Sequence, residues 1–595
     1  MKFIKSLIKK YFESLVYFYR YIGLKIFIIL ILSVLVAFLD GLGLSMFIPL
    51  LSVIGEGVGS PTGKMNFLTR FLYESNFDLT LSNILLIMIS FFVMKGIVIY
   101  FFEIYKVNVQ QNFITKIRYR NLKLLNNLSY KYFVVSDAGR IQNTMTGEVD
   151  RVARAFLTYF AAFQAGVMVF VYMVFAFTVD AQFAILVTVG GIITNFLFKK
   201  IYTKTKGASR KLTGENNVFQ NLVIQNVANY KYLKATGSIE KYSSKLRSSI
   251  DKIEKSNKKI GRLGGFLNAS REPLVIFVVV CVIYIQTSLM GSPIGPLLIS
   301  LLFFYRALTF LMQMQNQWNK FLAVSGSMEN MTNFTSELKK HQDRKEKGNP
   351  SSSIQTLALE NAAFKYSSAP IFQNLNFSIL KNEIVAFVGE SGSGKTTVIN
   401  VLAGLLPLDK GNFKVNEEIS TNINISDYQK RIGYITQDPV IFNDSIYNNI
   451  TFWQPKTERN IKKFNEAIKK AAIDNFIYDL DNREDSLLGT NGANLSGGQK
   501  QRISIARELF KQVEILILDE ATSALDSETE RSIQKNIDDL KGEYTIIIVA
   551  HRISTIKNAD RIIILENGNI VESGDFNELI LKSEYFKKVV QLQEL

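Results

Sequence analysis

Apolar and polar positions divide the chain into two regimes. Up to about residue 322, long apolar runs alternate with charged stretches, and six runs reach the ~20 residues needed to cross a hydrocarbon layer about 30 Å thick. They fall at 24–54, 81–107, 155–179, 183–203, 270–290 and 297–322. The connections after the first, third and fifth runs are short or charge-poor, whereas those after the second and fourth are long, basic and helix-like. The short ones are expected to face outward and the long ones to project inward as helical extensions that turn near 128–135 and 224–234. Ahead of the first span, Phe3, Ile4, Leu7, Ile8, Tyr11, Phe12 and Leu15 recur at helical spacing beside Lys2, Lys5, Lys9 and Lys10. That pattern predicts an amphipathic helix in the membrane interface over residues 1–23 and not a cleaved secretory signal.

Beyond residue 353 the pattern changes to apolar runs of strand length separated by helix-like stretches. Ile384-Val385-Ala386-Phe387-Val388, Ile515-Leu516-Ile517-Leu518 and 545–549 are continuous, the pattern of strands buried on both faces of a largely parallel sheet. Between the two regimes, 335–353 carries Lys339, Lys340, Arg344, Lys345 and Lys347 and then Gly-Asn-Pro-Ser-Ser-Ser, a polar run with breakers that reads as a linker. The expected order is an interfacial helix 1–23, a six-helix membrane bundle 24–334, the linker 335–353 and an α/β domain 354–595.

Charge supports this division. The 595 residues carry a formal charge of +17, but residues 1–350 hold 42 Lys and Arg against 19 Asp and Glu, and the remainder holds 27 against 33. The basic residues cluster at 104–150 and 199–262, between apolar runs. Lysine and arginine retained on the inner loops of a membrane protein give this distribution, and it argues against nucleic acid as a partner. The single cysteine, Cys281, excludes an intrachain disulfide and a cysteine-based metal site. Asp40, Lys95 and Arg306 interrupt the apolar runs, where a charge facing lipid is costly. Asp40 and Lys95 each lie about 21 Å from the outer ends of their spans and can pair. Arg306 has no evident acidic partner and is read as a cavity cation for an anionic substrate group or as a side chain snorkelling to solvent. The Asp40–Lys95 pair reads first as a structural clip between adjacent helices, with direct substrate contact as the alternative, and under that alternative Asp40, Lys95 and Arg306 are the candidate substrate-cavity residues.

Chemistry concentrates in the second regime. Directly after the strand 384–388 comes Gly389-Glu390-Ser391-Gly392-Ser393-Gly394-Lys395-Thr396, which leads through Thr397 into a helix-like stretch. A strand, a glycine-rich loop and a helix in that order let backbone N–H groups close around phosphates. Lys395 balances phosphate charge and Thr396 offers a hydroxyl to Mg2+. The run 515–518 ends in Asp519-Glu520. One carboxylate there can hold the metal's hydration shell while the other orients or deprotonates water, which suits phosphoryl transfer. The expected ligands are ATP and Mg2+, and the expected fold is a membrane α-helical bundle plus a C-terminal α/β P-loop ATPase domain.

Leu495-Ser496-Gly497-Gly498-Gln499 lies between these motifs. The pentapeptide, its spacing and its flanking motifs resemble the ATP-binding-cassette transporters, and the six spans ahead of an ATPase domain resemble the exporter-type half-transporters. The resemblance implies that Tyr366 stacks on adenine, that Gln437 senses Mg2+ and the attacking water, that Asp526 carries information across a dimer interface and that His551 meets the γ-phosphate. It also implies that Ser496, Gly497, Gly498 and Gln499 complete the nucleotide site of an opposite subunit. Two chains are then required, as a homodimer or as a heterodimer with a related half. Catalytic roles fall to Glu520, His551, Gln437 and Lys395, and metal contacts to Thr396, Gln437 and Asp519. One departure is Thr490 in Leu488-Gly489-Thr490-Asn491-Gly492, where such exporters often carry a carboxylate.

Three short stretches, 40–50, 146–151 and 304–306, are similar to bacterial exporters that flip lipid-linked oligosaccharides. What the resemblance implies is an ATP-hydrolysing exporter or flippase in a bacterial cytoplasmic membrane, with its ATPase domain in the cytoplasm and an amphipathic, anionic lipid-linked substrate. Multidrug, lipid or peptide export, an ATP-gated channel and an importer on an exporter fold stay open.

Overall fold

The computed structural model describes residues 13–47, 49–50, 80–179, 181–289, 294–343, 352–366, 369–520, 527–550 and 552–593. They form two compact units. The first comprises Met1–Leu128 and Val135–Gln342, and the second comprises Ser129–Val134 and Asp343–Leu595.

The first unit is helical. Its long helices among the described residues are α1 (Lys25–Ser45), α2 (Leu81–Asn126), α3 (Val149–Val179), α4 (Ala181–Ala228), α5 (Ile239–Tyr284) and α6 (Ile294–Lys340). α2 has 46 residues, which at 1.5 Å per residue is about 69 Å, more than twice a hydrocarbon layer. Its polar half must therefore stand in water. α1, α2, the segment Ala138–Phe177 and α5 are long and apolar enough to cross a membrane. In α2 only 6% of the apolar window is buried, and Leu86, Ile89 and Phe101 are exposed. A helix in water hides such side chains, so their display fits lipid as the solvent.

Two sequence boundaries shift. α6 continues to Lys340, so residues 335–340, read above as the start of the linker, are helical. Met331, Phe334 and Leu338 are buried at helical spacing, and that stripe outweighs the polar residues around it. The part of the linker at 344–351 lies outside the described residues. Of the expected N-terminal helix, residues 1–12 also lie outside, while 13–22 are helical. Phe18 there is fully buried, with its ring 5.4–5.8 Å from those of Phe113, Phe156, Tyr159 and Phe160. This segment is thus fixed to the bundle by an aromatic cluster as well as by any interface.

Within the bundle, Lys95 Nζ lies 2.5 Å from Asp40 Oδ1, joining α2 to α1, and Asp40 is fully buried. The Tyr172 hydroxyl of α3 donates to the other carboxylate oxygen. Arg306 of α6 lies against that same hydroxyl and sits 5.7 Å from the Phe310 ring centre. Gly41 permits this packing, since a Cβ there would lie 2.3 Å from the Phe175 ring. One carboxylate, two cations and a phenol therefore tie four helices together, and Arg306 has Tyr172 as its neighbour where the sequence offered no partner.

In the second unit, β1 (Thr356–Lys365), β2 (Pro370–Leu380), β4 (Lys410–Val415) and β5 (Glu418–Ile419) form an antiparallel sheet in the order β2-β1-β4-β5. A second sheet runs β10-β9-β3-β8-β7-β6, with β3 (Ile384–Val388), β6 (Ile432–Ile435), β7 (Ile515–Asp519), β8 (Thr545–Val549), β9 (Arg561–Glu566) and β10 (Asn569–Gly574). β9, β3, β8, β7 and β6 are parallel and β10 closes the edge antiparallel. Alternate residues serve opposite faces: Ile384, Ala386 and Val388 enter one apolar cluster, and Val385 and Phe387 the other. Burial on both faces explains why these strands read as unbroken apolar runs.

The short helix Tyr130–Val135 places most of its residues in this second unit. Tyr130 packs against the cluster that contains Phe364. Lys131 Nζ lies 3.3 Å from Asp409 Oδ1 and 4.6 Å from the centre of the Phe364 ring.

Lys95→Ala leaves the buried Asp40 carboxylate without its cation and should cost about 3 kcal/mol or more, read as a lower melting temperature in detergent. The double variant Asp40→Asn/Lys95→Met should recover most of that loss. A Lys95→Ala protein that melts with the wild type would refute the pairing as a stabilising contact.

Candidate nucleotide site

The loop after β3 has the backbone that its glycines predict. A Cβ at Gly389 would lie 2.1 Å from the Leu565 carbonyl oxygen, so the loop can approach β9 this closely only with glycine. Gly392 and Gly394 have φ of +85° and +102°, a region that L side chains rarely adopt. α7 (Lys395–Leu402) starts immediately after Gly394, so its first N–H groups open into the loop.

Lys395 is 4% exposed. Its Nζ donates to the carbonyl oxygens of Gly389 and Glu390, each at 2.8 Å. Burial lowers its pKa, and the nearby Glu520 and Asp519 carboxylates oppose that shift. Ser393 Oγ is buried with no hydrogen-bond partner. A buried hydroxyl without a partner, a half-satisfied lysine and a helix N-terminus all facing one loop are what a phosphate group would satisfy. Ser391, Gly392 and Thr396 are exposed, and Thr397 is half-buried.

Across the same edge of the sheet, β7 ends at Asp519. Burial raises its pKa, and a hydrogen bond from Tyr434 lowers it. The Tyr434 hydroxyl lies 3.0 Å from Asp519 Oδ2 and 3.3 Å from Asn400 Oδ1 of α7. Glu520 has φ of +51°, and its N–H donates to the Val549 carbonyl at 3.0 Å. Gln437 Nε2 donates to Glu520 Oε2 at 2.7 Å. Lys395, Asp519, Glu520 and Gln437 are therefore brought together. Thr396, Gln437 and Asp519 offer the hard oxygen ligands that Mg2+ takes.

Tyr434 is the residue that motif reading passed over. It stands in β6, three residues before Gln437 and paired with β7, and no local feature of the sequence marks it as the donor to Asp519. Tyr366 is half-buried, with its ring edge-on to Phe364 at 4.9 Å and its hydroxyl near Thr397 and Asn400. Asp526 and His551 lie outside the described residues.

Ser496 caps α8 (Gly497–Phe510). Its Oγ accepts from Gln499 N at 3.2 Å, while Gln499 Oε1 accepts from Ser496 N at 2.8 Å. The capping box holds Gly497 and Gly498 in the first turn, at an exposed helix N-terminus. Thr490 is exposed in a turn next to Asn491, whose φ is +53°.

A glycine-rich loop at the carboxyl edge of a parallel sheet, with adjacent carboxylates on a neighbouring strand, defines a P-loop nucleotide-binding domain. Comparison with known families agrees: residues 372–523 match the ABC transporter family and residues 26–316 match the ABC transporter transmembrane region. The chain belongs to the ABC transporters, in the exporter-type form that carries membrane region and ATPase domain on one polypeptide. An ATP-dependent lipid A-core flippase of Syntrophus aciditrophicus is 39% identical over 40% of this chain, a match that spans only about two fifths (39%) of that relative. A flippase of the same description from Desulfotalea psychrophila is 28% identical over 89% of this chain and 94% of its own length. A bacterial Atm1-family ABC exporter with ATP bound has a TM-score of 0.80 at 22% identity, covering 95% of this chain and 97% of that one. That last likeness concerns the fold.

Gly389→Ala forces a methyl group onto the Leu565 carbonyl and should weaken binding of a fluorescent nucleotide about tenfold or more. Gly392→Ala meets nothing within 4 Å, so its left-handed backbone penalty of about 1–2 kcal/mol should fall on folding stability and leave nucleotide binding within about threefold of the wild type. Equal binding losses in the two variants would contradict the close-approach argument.

Proposed function

We propose that the chain works as half of a dimeric ATP-driven exporter or flippase, which moves an amphipathic, anionic lipid-linked substrate across a bacterial cytoplasmic membrane by alternating access. The observation that carries this reading is full-length likeness to an exporter fold combined with the assembled Lys395, Asp519, Glu520 and Gln437. The flippase likeness over 94% of a relative supports the substrate class. Six spans, the four already named plus α4 and α6, complete the membrane half of this reading.

In it, the loop 389–396 holds the ATP phosphates and Lys395 turns from its two carbonyls toward them. Tyr366 stacks on adenine. Mg2+ bound through Thr396, Gln437 and Asp519 would supply positive charge to the phosphate oxygens. Glu520 orients and deprotonates the attacking water, held by the amide of Gln437, and His551 contacts the γ-phosphate. The exposed Ser496 turn closes the site of a second copy, and Asp526 links the two sites. A homodimer then has two competent sites. Hydrolysis resets the dimer, Arg306 faces the path of the substrate, and the Asp40–Lys95 pair clips the helices that border it.

Glu520→Gln keeps the shape of the carboxylate and its contact with Gln437 but removes the base. ATP turnover in proteoliposomes should fall about 100-fold or more while nucleotide binding persists; turnover like the wild type would remove Glu520 from this role. Tyr434→Phe deletes the hydrogen bond that favours ionised Asp519, so the Asp519 pKa should rise further. The acid limb of the turnover-against-pH profile should then move to higher pH, with little change on the alkaline side. An unmoved acid limb would separate Tyr434 from Asp519 function.

A further inference from the structure

Arg271 stands at the start of the apolar run of α5, and only 3% of it is exposed. Its Nη1 donates to Asn268 Oδ1 at 3.2 Å, one turn back on the same helix, and Tyr202 of α4 lies against it. Nε and Nη2 make no hydrogen bond. Among the described residues no carboxylate pairs with this guanidinium. Asn319 of α6 has a second buried atom without a partner, Oδ1, and lies close to α5, since a Cβ on Gly264 would be 3.6 Å from its amide nitrogen.

A guanidinium stays charged at any physiological pH, and a buried charge is tolerated where something compensates it. Arg271 has used the nitrogen that faces its own helix. The two that remain, Nε and Nη2, form one edge of the planar group, with parallel N–H bonds that fit two oxygens of a phosphate at once. Arg306 is the lesser candidate for such a role. It lies against Tyr172, which already serves Asp40, and its buried nitrogen without a partner is Nε alone.

We propose that Arg271 reads the phosphate of a phosphorylated lipid in a subsite between α4, α5 and α6, using its Nε–Nη2 edge. The proposal rests on the anionic lipid-linked substrate assigned above and gives that substrate's charged group a specific receptor. By the register that sets Gly264 beside Asn319, Arg306 lies about 9 Å farther along the bundle, at 1.5 Å per residue. A phosphate released from Arg271 thus meets a second cation along the same helices.

The test uses the full chain in detergent, with native mass spectrometry of dioleoyl phosphatidic acid against dioleoylglycerol, which has the same tails and no phosphate. The wild type should prefer the phosphatidic acid about tenfold or more, the scale of a charge-assisted hydrogen-bond pair. Arg271→Gln should lose that preference at an unchanged melting temperature, and Arg271→Lys, a point charge without the planar edge, should fall between the two. If Arg271→Gln does not fold, Arg271→Lys carries the comparison. Preference in the wild type that survives both substitutions overturns the Arg271 subsite and leaves the anionic-substrate reading intact. No preference in the wild type overturns that reading as well. Displacement of the lipid by excess inorganic phosphate would mean that the headgroup alone is read; failure to displace it would assign the site to lipid-borne phosphate.

Discussion

The parallel ladder that pairs β3 with β8 and β8 with β7 fixes where chemistry can occur, because it brings three chain segments to the same edge of one sheet. The loop 389–396 leaves the end of β3, Asp519 is the last residue of β7, and β8 ends at Val549, whose carbonyl accepts from Glu520 N–H. Backbone hydrogen bonds, which side-chain substitution does not remove, set these separations. The side chains then act on one another electrostatically. Lys395 loses hydration to burial and regains charge stabilisation from Asp519 and Glu520, while burial raises the Asp519 pKa and the hydrogen bond from the Tyr434 hydroxyl opposes that rise. Lys395 and Asp519 are each shifted by burial and opposed in that shift by a neighbour in the cluster.

How much of this could be read from the residues depends on the range of the signal. The phosphate loop was legible because its chemistry and its conformation are encoded in one continuous octapeptide. The pairing of Asp519 with Glu520 was legible because a buried strand ends at that point. Asp40 and Lys95 could be matched by depth, since a bilayer gives every span a common ruler. Tyr434 was not legible: its partner is 85 residues away, and nothing local marks a tyrosine as a carboxylate's donor. The helical continuation through 335–340 was missed for a related reason. Its buried stripe of Met331, Phe334 and Leu338 needs neighbours distant in sequence, whereas the lysines that suggested a linker are visible locally. Phe18 illustrates the same limit, because an aromatic at helical spacing does not say which four rings will surround it.

The bundle follows a different logic. Apolar side chains on α2 face outward, so lipid supplies no drive for its helices to associate, and polar contacts and close packing carry more of the specificity. Asp40 illustrates both: its carboxylate meets donors from two other helices, and the glycine beside it lets an aromatic ring approach. Such a network is destabilising when incomplete, which confines it to helix pairs whose depth is fixed.

One feature of the fold bears on how the molecule can be divided. Residues 129–134 come from the connection between α2 and α3, yet they belong to the compact unit of the ATPase domain. An ATPase fragment cut from the chain after Gln342 would therefore lack part of its own interior surface. The seat of Tyr130 and the ring of Phe364 that carries Lys131 would be left wet, a greasy scar that favours self-association of the excised piece in dilute buffer.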